Sequence, residues 1–351
     1  MAKRYKNILE VIGNTPLVRL NDIVKDLKPR VYAKLESFNP GDSTKDRIAK
    51  YIIEKAEREG RIQPGGTVIE ASSGNTGYSV ALTCRVKGYS CIVTVPDKAS
   101  KEKVSMLQAM GAKVYVCPSD VLPDDSTSYY AKAKSLEKRI KNSLYVNQYF
   151  NDDNTESHYY STGPEIWTQT GGRITHFVAC SGTGGTISGT AAYLKERNPN
   201  VQVIGVDACG SALKKYHETL EFDIDEIFPY TIEGVGKNMI PGTTRFELID
   251  RFVKVKDSDA VFRTRELPLK EGIMAGYSSG AAMQGVIQIA ADLREDDWLV
   301  VLFPDHGSRY MSKVFNDEWV RAQHFYEEIN GREVEVAFEE LNFVKRAREF
   351  L

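Results

Sequence analysis

Lys45 stands at the start of a helix-forming stretch. Segment 36–56, ESFNPGDSTKDRIAKYIIEKA, ends a strand, turns at Asn39-Pro40-Gly41 and enters a helix near Lys45, with Ser43 and Thr44 as caps. The first turn of a helix carries positive partial charge, so an ammonium there is disfavoured and its pKa is drawn down. A lysine that is more easily neutral can attack a carbonyl, which is Schiff-base chemistry. A solvated surface lysine is the plain alternative, and this segment alone does not decide.

Three further segments place unusual residues between a strand and a helix. In EASSGNTGYSVAL (70–82), Ser72, Ser73, Asn75 and Thr76 surround two glycines at a helix start. Small hydroxyls, an amide and free N–H groups suit a carboxylate, although an ordinary capping loop has the same composition. In CSGTGGTISG (180–189), Gly182, Thr183, Gly184, Gly185 and Thr186 let the backbone fold tightly and offer two hydroxyls to phosphate oxygens. The segment lacks the Gly-Lys-Ser/Thr of a Walker loop and the GxGxxG dinucleotide pattern, which favours a small phosphate. A glycine-rich turn used for close packing is the alternative. In MAGYSSGAAM (274–283), Ser278 and Ser279 open a helix, where an N-cap role alone would account for them.

The elements that must position these segments follow one rhythm. Apolar runs at 31–36, 67–70, 91–95, 113–117, 143–147, 174–180, 201–207 and 298–303 read as strands. Stretches at 77–88, 100–112, 186–198 and 278–293 read as helices, the second ending at Gly111. Strand–helix alternation with apolar strands predicts an α/β fold with parallel sheets covered on both faces. Ligands in such folds bind beyond the carboxyl ends of the strands, where the four segments lie. The polar stretch 118–128 reads as a surface loop.

Length and composition bound the rest. The 351 residues fit about two domains. The 46 basic and 48 acidic residues nearly cancel, which argues against a nucleic-acid partner. No apolar run reaches the roughly 18–20 residues of a membrane span, and MAKRYKNILEVIGNTP has no apolar secretory core. The cysteines at 84, 91, 117, 180 and 209 are odd in number and never in CxxC, so free thiols in a reducing cytoplasm are expected. Cys180 reads as core. His158, His176 and His217 show no metal-ligand spacing, and no metal is expected. His306 either caps the helix after it or lies near the site.

Taken in order, these segments resemble the cysteine synthase / cystathionine β-synthase family of fold type II pyridoxal-phosphate enzymes. The resemblance also takes in IGNTPLVRL (12–20), NQY…HYYSTGPEIW (147–167), EGVGKNMIP (233–241), GYSSGAA and PDHGSRYMSK (304–313), and spans about residues 8–320. It implies two three-layer αβα domains with mostly parallel twisted sheets, of the tryptophan synthase β type. A smaller mobile domain would span 40–150, a larger cofactor-binding domain 1–39 plus 151–321, and an appendage 322–351. A homodimer is implied, and so is a minimal catalytic unit without the haem-binding or tandem regulatory segments of some relatives.

The resemblance also implies roles. Lys45 would hold pyridoxal 5'-phosphate as an internal aldimine and later take the substrate α-proton. Gly182, Thr183, Gly184, Gly185 and Thr186 would cradle the phosphate, Asn75 would bond the ring hydroxyl oxygen, and Ser278 would face the pyridine nitrogen. Ser72, Ser73, Asn75, Thr76 and Gln148 would grip the substrate α-carboxylate. Glu233, beside Gly234, would recognise the amino group of a second amino acid.

The implied reaction is β-replacement on L-serine or an O-activated serine by a thiol, through an aminoacrylate. A neutral serine at the ring nitrogen leaves a weaker electron sink, which favours expulsion of a β-substituent. Glu233 and PDHGSRYMSK lean toward the cystathionine β-synthase type, serine with homocysteine. Cysteine synthase (O-acetylserine or O-phosphoserine with sulfide) is the alternative, then a cysteine-using relative. A serine/threonine dehydratase would set its lysine in Ser-Phe-Lys-x-Arg, and a non-catalytic scaffold would lose the lysine or the glycine loop. The chain departs from the family at Asp42, where a second glycine is usual, and at Ala71-Ser72 in place of Pro-Thr, while Lys237-Asn238 stands where the cystathionine β-synthase type tends to have Tyr-Asp.

Overall fold

The computed structural model of the chain describes residues 4–121 and 125–325. Among the described residues, ten strands form two sheets. The larger runs β1 (Leu17–Arg19), β2 (Arg30–Leu35), β10 (Trp298–Phe303), β7 (His176–Cys180), β8 (Gln202–Ala208), β9 (Arg251–Val255). Only β1 is antiparallel to its neighbour there. The smaller is fully parallel and runs β5 (Lys113–Cys117), β4 (Ser90–Pro96), β3 (Thr67–Ala71), β6 (Ser143–Tyr145).

Period-two burial explains why both sheets are covered on two faces. On β10, Leu299, Val301 and Phe303 join one apolar cluster, while Val300 and Leu302 join another. Val301 pairs with Ala33 on one side and Val178 on the other, so this strand is buried from every direction. The smaller sheet divides in the same way. Val68, Val93, Val95 and Leu144 face one core; Ile69, Ala71 and Ile92 face a second.

The helices are α1 (Lys45–Arg58), α2 (Asn75–Lys87), α3 (Lys101–Ala109), α4 (Tyr129–Arg139), α5 (Asp153–Tyr159), α6 (Thr162–Gln169), α7 (Gly185–Arg197), α8 (Leu213–Thr219), α9 (Asp257–Glu271), α10 (Tyr277–Gln288) and α11 (Asp317–Ala322). Helix α1 shows how the sequence dictates packing. Ile48, Ala49, Ile52, Ile53 and Ala56 recur at helical spacing and are wholly buried against the smaller sheet's core. Each isoleucine contributes on the order of 1.5–3 kcal/mol by leaving water.

Several elements differ from the sequence reading. The strand expected over 143–147 stops at Tyr145, because Asn147 turns to a positive φ of 51°. The helix expected from 278 begins one residue earlier and ends at Gln288, followed by a 3-10 turn. Strands β1 and β9 escaped notice because one is three residues long and half exposed and the other, RFVKV, carries charges. Residues 326–351 of the expected appendage lie outside the described residues. Its start is the end of α11, and Phe325 packs edge-on to Trp319. Among the described residues no helix is long and apolar enough to cross a membrane, and no group of His, Cys, Asp and Glu is arranged to hold a metal ion.

Candidate active site

Lys45 is the first residue of α1, and the turn before it is stitched to the carboxyl end of β10. Thr44 N–H donates to Pro304 O at 2.8 Å, His306 N–H donates to Asp42 O at 3.1 Å, and Ser43 bridges Asp305. Ser43 Oγ accepts from Lys45 N–H at 3.3 Å. Burial draws the Lys45 pKa down, and the nearby Lys237 ammonium adds to that, while Asp305 and Glu36 oppose it. The lowered pKa agrees with the helix-terminus argument, but burial is the main cause. No ion pair engages Lys45 Nζ among the described residues.

Asp42 explains the family's glycine. Its φ is 54°, in the left-handed region where glycine is free and aspartate is among the better-tolerated side chains. It is exposed, and its charge is not among those acting on Lys45.

Within the first turn of α1, Arg47 ties the helix start to Glu36 and Glu165. Its guanidinium bonds both oxygens of Glu36 at 2.6 and 2.8 Å and both oxygens of Glu165 at 2.7 and 2.8 Å. Thr15 and Lys34 complete this buried network. Burial pushes the Glu36 carboxyl up, yet Arg47 outweighs it and holds the pKa at about 2.

Helix α2 begins at Asn75, with Gly74 in the cap position and no side-chain cap. Thr76 Oγ1 donates to Gln148 Oε1 at 2.7 Å, and both side chains are buried. Ser72 Oγ accepts from Gly74 N–H at 3.2 Å. Asn75 Nδ2 donates to Asp305 Oδ2 at 2.7 Å, and Tyr310 OH donates to the same oxygen at 2.7 Å. Asp305 Oδ1 is buried without a hydrogen-bond partner. Burial raises the Asp305 pKa; Tyr310 and Asn75 oppose that. Sequence reasoning missed Asp305, although its place just past a buried strand was a usable signal. Asp305→Ala is expected to lower the unfolding free energy by about 1–3 kcal/mol, since Tyr310 and Asn75 both lose their acceptor. A urea midpoint equal to wild type would remove Asp305 as the tie between the two segments.

The glycine loop joins β7 to α7. Gly184 sits at a φ of 83° and caps α7 without a side-chain hydrogen bond. A Cβ on Gly184 would come within 1.9 Å of Thr244 Oγ1, and one on Gly185 within 2.0 Å of Asn154 Oδ1. The loop is therefore enclosed by Thr244 and Asn154, and only glycines fit. Thr183 Oγ1 accepts from Asn154 Nδ2 at 3.1 Å. Thr186 Oγ1 lies 3.1 Å from His158 Nε2, and His158 Nδ1 lies 2.8 Å from Thr162 Oγ1. Burial, then the Arg47 and Lys45 charges, lowers the His158 pKa to about 3, so the imidazole is neutral. His158, which carried no signal in the sequence, thus holds a loop threonine.

Neither Ser278 nor Ser279 caps α10. The helix starts at Tyr277 behind Gly276, so both serines lie inside its first turn, and Ser279 Oγ is buried without a partner. Ser278 is buried, and its carbonyl accepts from Cys180 Sγ at 3.1 Å. Cys180 is pushed above the usual thiol range by burial, which suits core rather than nucleophile. His306 caps the 3-10 turn at 307–310 through Ser308 N–H.

Gly234 lies against the glycine loop: a Cβ on Gly182 would approach Gly234 O to 2.5 Å, and Gly236 N–H donates to Ser181 O at 2.8 Å. Glu233 beside it is held by two ammonium groups, Lys103 Nζ at 2.6 Å and Lys313 Nζ at 2.5 Å. Lys103 belongs to α3 on the smaller sheet's side, so Glu233 links the two halves. Recognition of an incoming amino group there requires exchanging one of these lysines.

Comparison with known proteins follows the same lines. The family model described as pyridoxal-phosphate dependent enzyme matches residues 8–305. The chain is 39% identical to a cystathionine beta-synthase of Apis mellifera over 95% of its own length, and spans 66% of that relative. It is 39% identical to a cysteine synthase of Staphylococcus aureus, covering 88% of this chain and 96% of that one. The structure of a hydrogen sulfide-producing enzyme from Fusobacterium nucleatum superposes with a TM-score of 0.80 at 35% identity, covering 88% of this chain and 100% of the other.

Proposed function

The chain belongs to the family of pyridoxal-phosphate dependent enzymes, and from that premise we propose that it catalyses β-replacement on L-serine or an O-activated serine by a thiol, nearest to the cystathionine β-synthase type. When bound, pyridoxal phosphate supplies an electron sink for the amino acid's α-carbon. The residues present fit that group. Lys45 offers an amine of lowered pKa without an ion-pair partner. The glycine loop offers an uncapped helix start in a cradle that any Cβ would fill. Asn75 would meet the ring hydroxyl with the second hydrogen of its amide, the first being held by Asp305. Ser278 would face the ring nitrogen with a hydroxyl that carries no charge.

The chain's own residues then divide the work. Ser72, Ser73, Thr76 and Gln148 bind and orient the α-carboxylate at the start of α2. Lys45 Nζ takes the α-proton, a role that its lowered pKa favours. Glu233, with Lys103 and Lys313, borders the side from which a second substrate would enter. A homodimer in the cytoplasm is proposed with this reading.

The observation that carries it is the meeting, beyond the ends of β2, β3, β7 and β10, of a half-buried lysine without an ion pair among the described residues, an uncapped helix start and a glycine cradle. The test is a product screen by mass spectrometry. Serine, O-acetylserine, O-phosphoserine and cysteine are each offered with sulfide or homocysteine. Cystathionine from serine and homocysteine is the expected product; no β-substituted amino acid from any pair would sink the proposal. Cysteine from O-acetylserine and sulfide would favour the cysteine synthase type, a reading supported by the full-length match to the Staphylococcus relative.

Glu233→Gln separates the two types further. Its charge is expected to serve a zwitterionic nucleophile and not sulfide, so KM for homocysteine should rise about tenfold and KM for sulfide by much less. Equal rises would remove Glu233 from substrate choice.

A further inference from the structure

Lys237, on the loop that packs on the glycine turn through Gly234 and Gly236, is a lysine without a carboxylate partner among the described residues. Its backbone is fixed: its N–H donates to Ser211 Oγ at 2.8 Å, and its carbonyl accepts from Ala212 N–H at 3.0 Å. Its side chain reaches Tyr149, where Nζ donates to the phenol oxygen at 2.9 Å and lies 4.8 Å from the ring centroid. Burial raises the Tyr149 pKa to about 12, so this partner is neutral. No carboxylate pairs with Lys237 among the described residues. Burial draws the Lys237 pKa down, so its ammonium, anchored on Tyr149 without a carboxylate, is held at a cost that an anionic partner would relieve.

Its location gives that charge a use. Tyr149 follows Gln148, whose side chain meets Thr76 at the expected α-carboxylate site. Lys237 is close enough for its charge to lower the Lys45 pKa. It stands four residues after Glu233 on the same loop, and Glu233 is already held by Lys103 and Lys313. The loop therefore carries an amine that has no carboxylate partner among the described residues and whose charge acts on the reacting lysine, with an acidic group at its other end.

The geometry points to Lys237 as a specificity-determining residue that binds the carboxylate of the thiol nucleophile, so that the second substrate is an acid-bearing thiol. This rests on the β-replacement reading above and names its second substrate class. A charge-assisted contact of this kind is shorter and stronger than a neutral one, whereas a thiol without a carboxylate leaves Lys237 with Tyr149 alone.

Two thiols of equal length isolate the carboxylate: 3-mercaptopropionate and 3-mercaptopropan-1-ol. Cofactor-loaded full-length wild type, Lys237→Met, Lys237→Gln and Lys237→Arg are compared by the ratio of kcat/KM for acid and alcohol, so that partial misfolding cancels. Calorimetric binding of the unreactive 3-(methylthio)propionate and 3-(methylthio)propan-1-ol gives the same ratio without turnover. Wild type is expected to prefer the acid by about tenfold or more in both assays, an advantage lost in Lys237→Met and Lys237→Gln and kept in Lys237→Arg. A wild type without preference, or uncharged variants that retain it, overturns the proposal. If no thiol is converted, the β-replacement reading fails on its own, and the calorimetric ratio still decides the role of Lys237.

Discussion

Lys45→Ala is expected to lower kcat/KM for β-replacement by at least about 10³-fold, because one side chain supplies both the attachment point and the base. No neighbour can substitute for it. Lys237, the other amine whose charge reaches the site, is engaged with Tyr149, and Lys34 is enclosed by Thr15, Glu165 and Gln169. The purified wild type should be yellow, and borohydride reduction should leave the cofactor's mass on the Lys45 peptide. The variant should be colourless after dialysis while its circular dichroism matches wild type. Ordinary turnover by Lys45→Ala would end the assignment of this residue.

The second large effect is on stability. Arg47→Met would leave Glu36 fully buried without its guanidinium and remove two bonds from Glu165. Breaking a buried pair from one side costs about 3–5 kcal/mol, a large share of a typical stability. The pH dependence should also change sign. In wild type the Glu36 pKa lies at about 2, below its ordinary 4.5. Its stabilising contribution is complete above 4.5 and fades as pH falls toward 2. Without Arg47, burial dominates and the pKa rises above 4.5, so acidification from pH 7 to 5 should stabilise the variant. Urea midpoints at the two pH values measure this. A midpoint at pH 7 equal to wild type would show that the network does not hold α1 in place.

The legibility of the site followed the distance over which its contacts form. The start of α1 at Lys45 and the glycine loop before α7 lie within single strand-to-helix units, and the structure has them where the residue types placed them. An N-cap role, the plain alternative for the serines of 278–279, is removed because Gly276, two residues before Ser278, takes that position. In the sequence Asp42 is only a departure from the family's glycine. Its actual distinction is a left-handed backbone, which no composition argument reveals.

What the sequence by itself determined is the class of fold and the set of reactive segments. Apolar strands alternating with amphipathic helices must be buried on both faces, and segments that follow such strands must gather at one sheet edge. What only the tertiary structure decided is which side chains complete one another across the chain. Asp305 meets Asn75 from 230 residues away, Glu233 meets Lys103 from 130, and Lys237 meets Tyr149 from 88. Periodicity reports whether a residue is buried within its own element. Pairings between elements depend on how two separately packed sheets are set against each other, and that information is carried by no local stretch of the chain.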